Sequence, residues 1–108
     1  MAKWVLVVET NCADAAREVE FTEWYNKTHI PDIFETPAIV RATRYENIKP
    51  EEGKGKFLAI CEIETDNIEA FMKTHQDNMA KKRTEGRYSE LLVRTSRGFY
   101  KQLISVTR

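Results

Sequence analysis

The chain contains little cysteine, glycine, proline or histidine: two, four, three and two residues among 108. Cys12 and Cys61 are far apart and neither belongs to a Cys-x-x-Cys motif. No glycine-rich segment precedes a predicted helix, as a phosphate-binding loop would require. These absences argue against a disulfide-rich secreted protein, a cysteine-based metal site and a nucleotide-binding loop.

An excess of either charge is also missing, since 17 lysine and arginine residues balance 17 aspartate and glutamate residues. Proteins that bind nucleic acid usually carry a basic surplus, so no nucleic-acid partner is expected. The longest apolar run, 4–8, is far too short to cross a membrane, and the first residues lack the apolar segment of a signal peptide. We therefore predict a cytoplasmic protein with no membrane partner.

The residues that are present form strand and helix patterns. Apolar alternation predicts strands over 3–10, 39–46, 56–64 and 97–107. Helical spacing predicts one helix over 14–27, with Asp14 as N-cap, and a second with Asp66 as N-cap. A break is expected at 28–32, a short helix from Pro31 and another over 89–94, while 76–86 is too polar to assign.

The order of the main elements, βαββαβ, is that of a ferredoxin-like α+β fold, with an antiparallel sheet and both helices on one face. We expect one such domain over residues 1–108, which is a usual domain length. Several residues expected on the other sheet face are apolar. A bare apolar face favours self-association, so the sequence predicts a homodimer.

Polar and aromatic residues are densest in the segment 23–32, which contains His29 and Asp32. His29 is the natural candidate for proton transfer because the pKa of histidine lies near neutrality. Asp32 could orient the imidazole and stabilise its charge. Arg41, on the next predicted strand, could hold an anionic or carbonyl oxygen. His29, Asp32 and Arg41 are therefore candidate catalytic residues.

The same region supplies candidate substrate-binding residues. Thr43 and Tyr45 alternate with Arg41 and share its predicted face, whereas Arg44 points the other way in an ideal strand. At most one of the two arginines can therefore line a cavity. Aromatic walls around a small polar centre are typical of small-molecule sites. The candidate substrate-binding residues are Trp24, Tyr25, Thr43 and Tyr45.

Each candidate also has a structural interpretation. His29 could cap a helix end, Arg41 could pair with a nearby carboxylate, and the two aromatic residues could belong to the core. His75 is expected to pack on its helix face. No serine or cysteine nucleophile stands out, and no ligand spacing beyond His-x-x-Asp suggests a metal, so no metal or other cofactor is predicted.

Two stretches resemble a known pattern: E-F-T-E-W-Y-N-x-x-H-I-P-D at 20–32 and P-x-x-x-R-A-x-R-Y at 37–45. They are similar to the motifs of EthD-like proteins, small bacterial members of the dimeric α/β-barrel superfamily that are implicated in ethyl tert-butyl ether degradation. The resemblance implies a dimeric α/β barrel with His29, Asp32, Arg41 and Tyr45 in or near its cavity. The superfamily includes cofactor-free monooxygenases, haem-degrading enzymes, lactone isomerases and polyketide cyclases. The Asn-x-Arg-x-x-Trp pattern of the haem-degrading branch is absent here.

Three functions remain open at this point. The protein could be a cofactor-independent enzyme of monooxygenase, isomerase or cyclase type that acts on a small oxygenated organic molecule. It could instead be a non-catalytic ligand-binding or stress-associated protein, or a structural dimer whose cavity is filled by side chains. An open cavity at His29 would argue against the third function, and a perturbed His29 pKa beside a carboxylate would favour the first.

Overall fold

The computed structural model describes all 108 residues and contains one four-stranded sheet. In chain order the elements are β1 (Lys3–Cys12), a 3₁₀ turn (Ala15–Arg17), α1 (Glu18–Trp24), a π-helical turn (Tyr25–His29), α2 (Ile30–Ile33), β2 (Ile39–Glu46), β3 (Phe57–Glu64), α3 (Ile68–Thr84) and β4 (Leu92–Lys101). The strands lie in the order β2-β3-β1-β4, and every neighbouring pair is antiparallel. This is the predicted ferredoxin-like α+β fold. None of its helices combines the length and apolarity of a membrane span.

The helices pack on one face of the sheet, here called the inner face. Leu6 on β1 and its partner Cys61 on β3 are buried there against Ile33 of α2 and Phe71 of α3. A second buried cluster joins Phe21 and Tyr25 of the first helical region to Phe57 and Ala59 of β3. The alternation predicted for β3 is therefore confirmed, because Phe57, Ala59, Cys61 and Ile63 are all buried.

The first helical region continues from Glu18 to Ile33, so the break predicted at 28–32 is wrong. A π-helical turn replaces the break, and the N–H of Ile30 donates to the carbonyl oxygen of Tyr25, five residues earlier. Pro31 has no N–H and its ring crowds the preceding turn, which a widened turn accommodates. Tyr25 and His29, at the two ends of the π turn, are both buried.

Two predictions about the second half of the chain are also corrected. The N-cap of α3 is Asn67, whose Oδ1 accepts a hydrogen bond from the N–H of Ala70 at 3.0 Å, whereas Asp66 accepts from the N–H of Ala2. The segment 89–94 is not helical, because β4 begins at Leu92 and pairs with β1. The polar stretch 76–84 continues α3, since its buried positions are spaced along one helix face.

Two strands contain a bulge that changes which face their side chains occupy. In the pairing of β2 with β3, Ile39 lies opposite Ile63 and Arg41 lies opposite Glu62, so Val40 is an extra residue without a partner. Ile39 is therefore buried on the inner face, and not beside Arg41 as the regular alternation predicted. In the pairing of β4 with β1, Ser96 lies opposite Glu9 and Arg94 lies opposite Thr10, so Thr95 is an extra residue without a partner.

The other side of the sheet, here called the outer face, has no helix on it. Val5 and Val7 of β1 and Leu58 and Ile60 of β3 are half-buried there by their neighbours. Tyr45 and Tyr100 flank them and are more than half exposed. The segment 102–108 follows β4 as an exposed stretch that includes Leu103, Ile104 and Val106. An outer face of this composition is the one expected for a partner.

Candidate active site

A cavity of about 690 Å³ lies between the inner face of the sheet and the helices. Ligand sites in proteins span roughly 300–1,000 Å³, so this volume suits a small organic molecule. Its apolar lining comes mainly from β1, β3, β4, α2 and α3: Leu6, Val8, Ile33, Ala59, Met79 and Leu92. Its polar lining includes Tyr25, His29, His75, Arg83, Tyr88, Arg94 and Arg97. Of these, Arg83, Arg94 and Arg97 are exposed and lie where the cavity meets solvent.

His29 enters the cavity from the π turn and is held by aromatic rings. Its ring stacks on Trp24 with centroids 4.6 Å apart, and it meets Tyr25 edge-on at 4.8 Å and Tyr88 at 5.3 Å. No group of the chain hydrogen-bonds to either of its ring nitrogens. The helix-cap interpretation is not realised, because the side chain of His29 makes no capping hydrogen bond. The imidazole is therefore positioned by packing while its hydrogen-bonding capacity stays free for a ligand.

Burial lowers the pKa of His29 to about 4, which makes the imidazole neutral at pH 7. The carboxylate of Asp32 acts in the opposite direction, while the positive charges of Arg44 and Arg83 add to the effect of burial. A neutral imidazole has one unprotonated ring nitrogen that can accept a proton, while its remaining N–H can donate a hydrogen bond but is not an acid near pH 7. The geometry therefore favours a base at this position.

Two tyrosines share the cavity with His29. Burial raises the pKa of Tyr25 to about 12 and also raises that of Tyr88, so both phenols keep their protons at neutral pH. Neither hydroxyl group has a hydrogen-bond partner within the chain. Both can consequently donate a hydrogen bond to an oxygen atom of a bound molecule.

Tyr88 is positioned by the end of α3. The N–H of Gly86 donates to the carbonyl of Arg83 at 3.1 Å, and the N–H of Arg87 donates to that of Lys82 at 3.0 Å, which together close the helix. Gly86 has a φ of 75°, a left-handed conformation that glycine adopts without strain. The chain then reverses so that Tyr88 faces His29.

His75 also lines the cavity, whereas the sequence predicted only packing on its helix face. It does pack, stacked on Phe71 at 5.7 Å, and its Nδ1 lies 2.8 Å from Thr36 Oγ1. Burial lowers its pKa to about 4, with a further contribution from Arg97. The cavity thus holds two neutral imidazoles, of which His75 has a protein partner and His29 has none.

Asp32 and Trp24 support His29 from behind and do not line the cavity. Asp32 is buried and its Oδ2 accepts a hydrogen bond from Arg87 Nε at 2.7 Å. Trp24 Nε1 donates to the carbonyl oxygen of Arg87 at 2.9 Å. Arg87 therefore ties both neighbours of His29 to the turn that follows α3. The predicted hydrogen bond between Asp32 and His29 is absent, since the carboxylate is taken by Arg87.

Arg41, Thr43 and Tyr45 are not brought together with His29. Arg41 and Tyr45 pair with Glu62 and Leu58 on the outer face, so the sheet separates them from the cavity. Arg41 Nε lies 3.4 Å from Glu62 Oε2. Arg41 therefore forms a salt bridge on the outer face, in agreement with its structural interpretation. The expected convergence failed because the strand places these alternate residues on the face away from the helices.

Arg44 is on the inner face but lies behind Tyr25, so neither arginine of β2 lines the cavity. Its guanidinium carbon is 4.1 Å from the centre of the Tyr25 ring, and Nη1 donates to Asn26 Oδ1 at 2.9 Å. Its Nε and Nη2 are buried without a hydrogen-bond partner. Arg44 therefore supports the aromatic wall through a cation–π contact.

The cationic residues that do line the cavity were missed from the sequence. Arg94 and Arg97 project from β4 and Arg83 from the last turn of α3. The sequence pattern assigned 89–94 to a helix, left 76–86 unassigned and began the last strand at Arg97, so these arginines were not connected to His29. No group of three histidine, cysteine, aspartate or glutamate side chains is placed to hold a metal ion.

Solved structures of several bacterial proteins are similar to this chain. HapK from Hahella chejuensis is 12% identical with a TM-score of 0.73, and the alignment covers 97% of each chain. An ethyl tert-butyl ether d (EthD) family protein from Bacillus halodurans is 18% identical with a TM-score of 0.59, over 95% of this chain and 100% of that one. SnoaB, a cofactor-independent oxygenase from Streptomyces nogalater, is 13% identical with a TM-score of 0.65 over 100% of both.

At these identities the similarity establishes the fold and not the reaction. It confirms that the chain shares the ferredoxin-like α+β fold of these proteins. No curated protein matches the chain by sequence. The family described as Domain of unknown function (DUF4286) matches residues 4–101, and the chain belongs to that family.

Proposed function

We propose that this protein is a cofactor-independent enzyme that removes a proton from a small oxygenated organic molecule in the cavity. The observation that carries the proposal is His29, a neutral imidazole without a protein hydrogen-bond partner, facing a cavity of about 690 Å³. Buried groups with a perturbed pKa in a cavity are typical of catalytic sites. The open cavity also argues against a purely structural dimer.

The chemistry starts with His29 as general base. One ring nitrogen takes a proton from an acidic C–H or a phenolic O–H of the substrate, and the electron pair stays on the substrate as an enolate or phenolate. The hydroxyl groups of Tyr25 and Tyr88 donate hydrogen bonds to the oxygen on which this charge develops. In an isomerase the imidazolium returns the proton at another atom. In a cyclase the enolate carbon attacks a carbonyl of the same molecule, and the imidazolium protonates the resulting alkoxide. In a monooxygenase the enolate of a CH2 group reacts with dioxygen, one oxygen atom enters the product as a carbonyl, and the other leaves as water with the two hydrogens of that CH2 group.

Asp32 assists this step through its charge, without touching the substrate. Its carboxylate favours the protonated form of His29, so it stabilises the imidazolium that forms when the base has accepted the proton. The similarity to a cofactor-independent oxygenase supports this class of chemistry. Arg41 has no role in the proposal, because it lies on the outer face.

The proposal includes a homodimer that pairs two outer faces into an α/β barrel. It is supported by the half-buried valine, leucine and isoleucine side chains of that face and by the fold of the similar proteins. Both cysteines are free thiols, as in proteins of a reducing compartment, which supports a cytoplasmic location.

The test is a screen of enolisable phenolic ketones, with oxygen consumption and product masses as readouts. Loss of a positioned base typically costs about 10²–10⁴-fold in rate, so His29→Ala should lose turnover by that factor. Tyr100→Phe, on the outer face, is the matched control and should retain turnover.

Two other outcomes have distinct meanings. If the wild type binds compounds but turns none over, and His29→Ala only weakens binding, the protein is a ligand-binding protein and not an enzyme. If His29→Ala melts at a lower temperature yet binds every ligand as the wild type does, His29 has a structural role and the proposed site is wrong.

A further inference from the structure

The positive charges in the cavity have no acidic partner within the chain. Arg83, Arg94 and Arg97 line it, and none of them takes part in any of the nine salt bridges of the structure. The one carboxylate in the lining belongs to Glu90, which is paired with Arg17 at 3.2 Å. Seven of the other fourteen lysine and arginine side chains form salt bridges, whereas none of the three that line the cavity does. The cavity therefore has three guanidinium groups that are free to bind an anion.

The bulge at Thr95 is the reason that two of these arginines share a face. Residues 94 and 97 are separated by an odd number and would point to opposite faces of a regular strand. Because Thr95 is extra, Arg97 pairs with Val8 and Arg94 pairs with Thr10, both on the inner face. Bulges are frequent next to functional sites, where they redirect a side chain.

The third arginine reaches the same region from the opposite side of the cavity. The guanidinium carbon of Arg83 lies 4.4 Å from the centre of the Tyr88 ring, and that of Arg97 lies 5.1 Å from the Phe99 ring. All three arginines act on the pKa of Tyr88, which burial raises and their positive charges lower. Arg83 thus contacts the ring of Tyr88, which in turn contacts His29, and Arg94 and Arg97 line the same cavity.

Apolar and aromatic walls are supplied by Leu6, Val8, Ile33, Met79 and the ring of His29, and Thr10, Gln76 and Ser89 add uncharged polar groups. A planar hydrophobic body fits these walls, and an anionic group at one end of it would meet the arginines. Guanidinium groups bind carboxylates by paired hydrogen bonds of fixed geometry. A concave apolar pocket does not suit a nucleic-acid backbone, and the chain has no net positive charge.

We propose that Arg83, Arg94 and Arg97 form an anion-binding subsite that holds the carboxylate of a planar aromatic acid beside His29. The inference rests on the proposed function, since it identifies the class of molecule that the same cavity takes. It makes Arg94 and Arg97 substrate-binding residues, while the Tyr25 and Tyr88 hydroxyls remain donors to the oxygen on which charge develops.

The test compares 2-naphthoate with 2-naphthylmethanol, its uncharged analogue, by isothermal titration of the full chain. We expect the wild type to bind 2-naphthoate at least about tenfold more tightly, because hydrogen bonds to charged groups are the stronger ones. Each of the variants Arg94→Met and Arg97→Met should bind 2-naphthoate about tenfold more weakly than the wild type does. The affinity for 2-naphthylmethanol should stay unchanged in both. Arg97→Lys, which keeps the charge, should restore part of the loss.

Two further variants serve as comparisons. Lys73→Met removes an exposed charge from α3, outside the cavity, and should change neither affinity. Arg41→Met removes an arginine of the outer face. If this variant lost affinity for 2-naphthoate alone, the assignment of the anion-binding subsite to the arginines of β4 would be overturned. Thermal melts of all variants identify any that lose the fold.

The two proposals fail in different ways. Equal affinity of the wild type for the acid and the alcohol, unchanged in the arginine variants, would overturn the anion subsite and leave the cavity as a small-molecule site. Absence of binding for both compounds in the folded wild type would contradict the subsite, and absence of any ligand in the wider screen would contradict the proposed function as well.

Discussion

His29 and His75 show how one physical term, burial, controls the ionisation of the cavity at the scale of single residues. Both imidazoles are almost inaccessible, with 8% and 4% of their surfaces exposed, and the pKa of each is lowered to about 4. A neutral histidine next to arginines is stable there because protonation would place two positive charges close together. Both imidazoles are therefore neutral at neutral pH, which is the form in which a histidine can act as a base.

The same shifts predict how the free energy of unfolding depends on pH. The unfolded histidines have a pKa near 6.5 and bind protons in the range pH 4–6.5, while the folded ones do not. Stability is consequently present above pH 6.5 and is lost as the pH falls through that range to about 4. Each histidine contributes at most about 3 kcal/mol to this loss.

Urea denaturation at fixed protein concentration between pH 4 and 7 measures the effect. The double variant His29→Gln, His75→Gln should show a flatter profile across this range, since glutamine does not titrate. A profile as steep as that of the wild type would mean that other groups are responsible.

At the scale of elements, the bulge of β4 is held by a clamp on the outer face. Glu9 Oε1 accepts hydrogen bonds from the N–H of Gly55 at 2.7 Å and from Thr95 Oγ1 at 2.9 Å. These bonds lower the pKa of Glu9. A Cβ atom on Gly55 would lie 2.2 Å from Glu9 Cγ and 2.7 Å from Thr95 Oγ1, so only glycine leaves room for the clamp.

We therefore predict that Gly55→Ala displaces Glu9 and releases Thr95. Crowding of this kind typically costs about 1–3 kcal/mol, which chemical denaturation can measure. The affinity for 2-naphthoate should fall as well, because the bulge aligns Arg94 with Arg97. In a Glu9→Ala, Thr95→Ala background the same change should cost little, since both side chains that it meets have been shortened. A full additional cost in that background would contradict the clamp.

At the scale of the whole molecule, we expect the outer face to form the interface of the proposed homodimer. A specific interface buries at least about 1,000 Å² in total, and the outer face offers the half-buried apolar side chains for it. We expect sedimentation at micromolar concentration to show twice the 12.6 kDa mass of the chain. A single 12.6 kDa species in the wild type would contradict the dimer.

Ile60→Asp should convert the dimer to a monomer, because it places a charge in the middle of the outer face. Ile48→Asp is the matched control. Ile48 is 84% exposed in the loop after β2, so the same substitution there should leave the dimer intact. Dissociation by the control variant and not by Ile60→Asp would place the interface elsewhere.

A second prediction at this scale concerns the composition of the purified protein. Neither a metal nor haem is expected to co-purify, since no three potential ligands converge and the haem-handling pattern is absent. Elemental analysis and the absorption spectrum are the measurements. Near-stoichiometric metal or a Soret band would contradict the prediction.

The sequence by itself determined the order of the elements and the local cluster around His29. Strand alternation and helical spacing are local signals, and the residues Trp24, Tyr25 and His29 lie within two turns of one helix. Their mutual contacts therefore follow from short sequence separations, and the rings do stack as neighbours.

Only the tertiary structure decided which distant residues join that cluster. The face of a strand residue depends on whether its position is odd or even in the register, and one extra residue inverts that assignment for everything beyond it. The bulge at Thr95 brings Arg94 onto the face of Arg97, and the placement of the helices on the inner face leaves Arg41 outside the cavity. Both facts arise from pairing between strands that are far apart in the chain, which no local pattern contains.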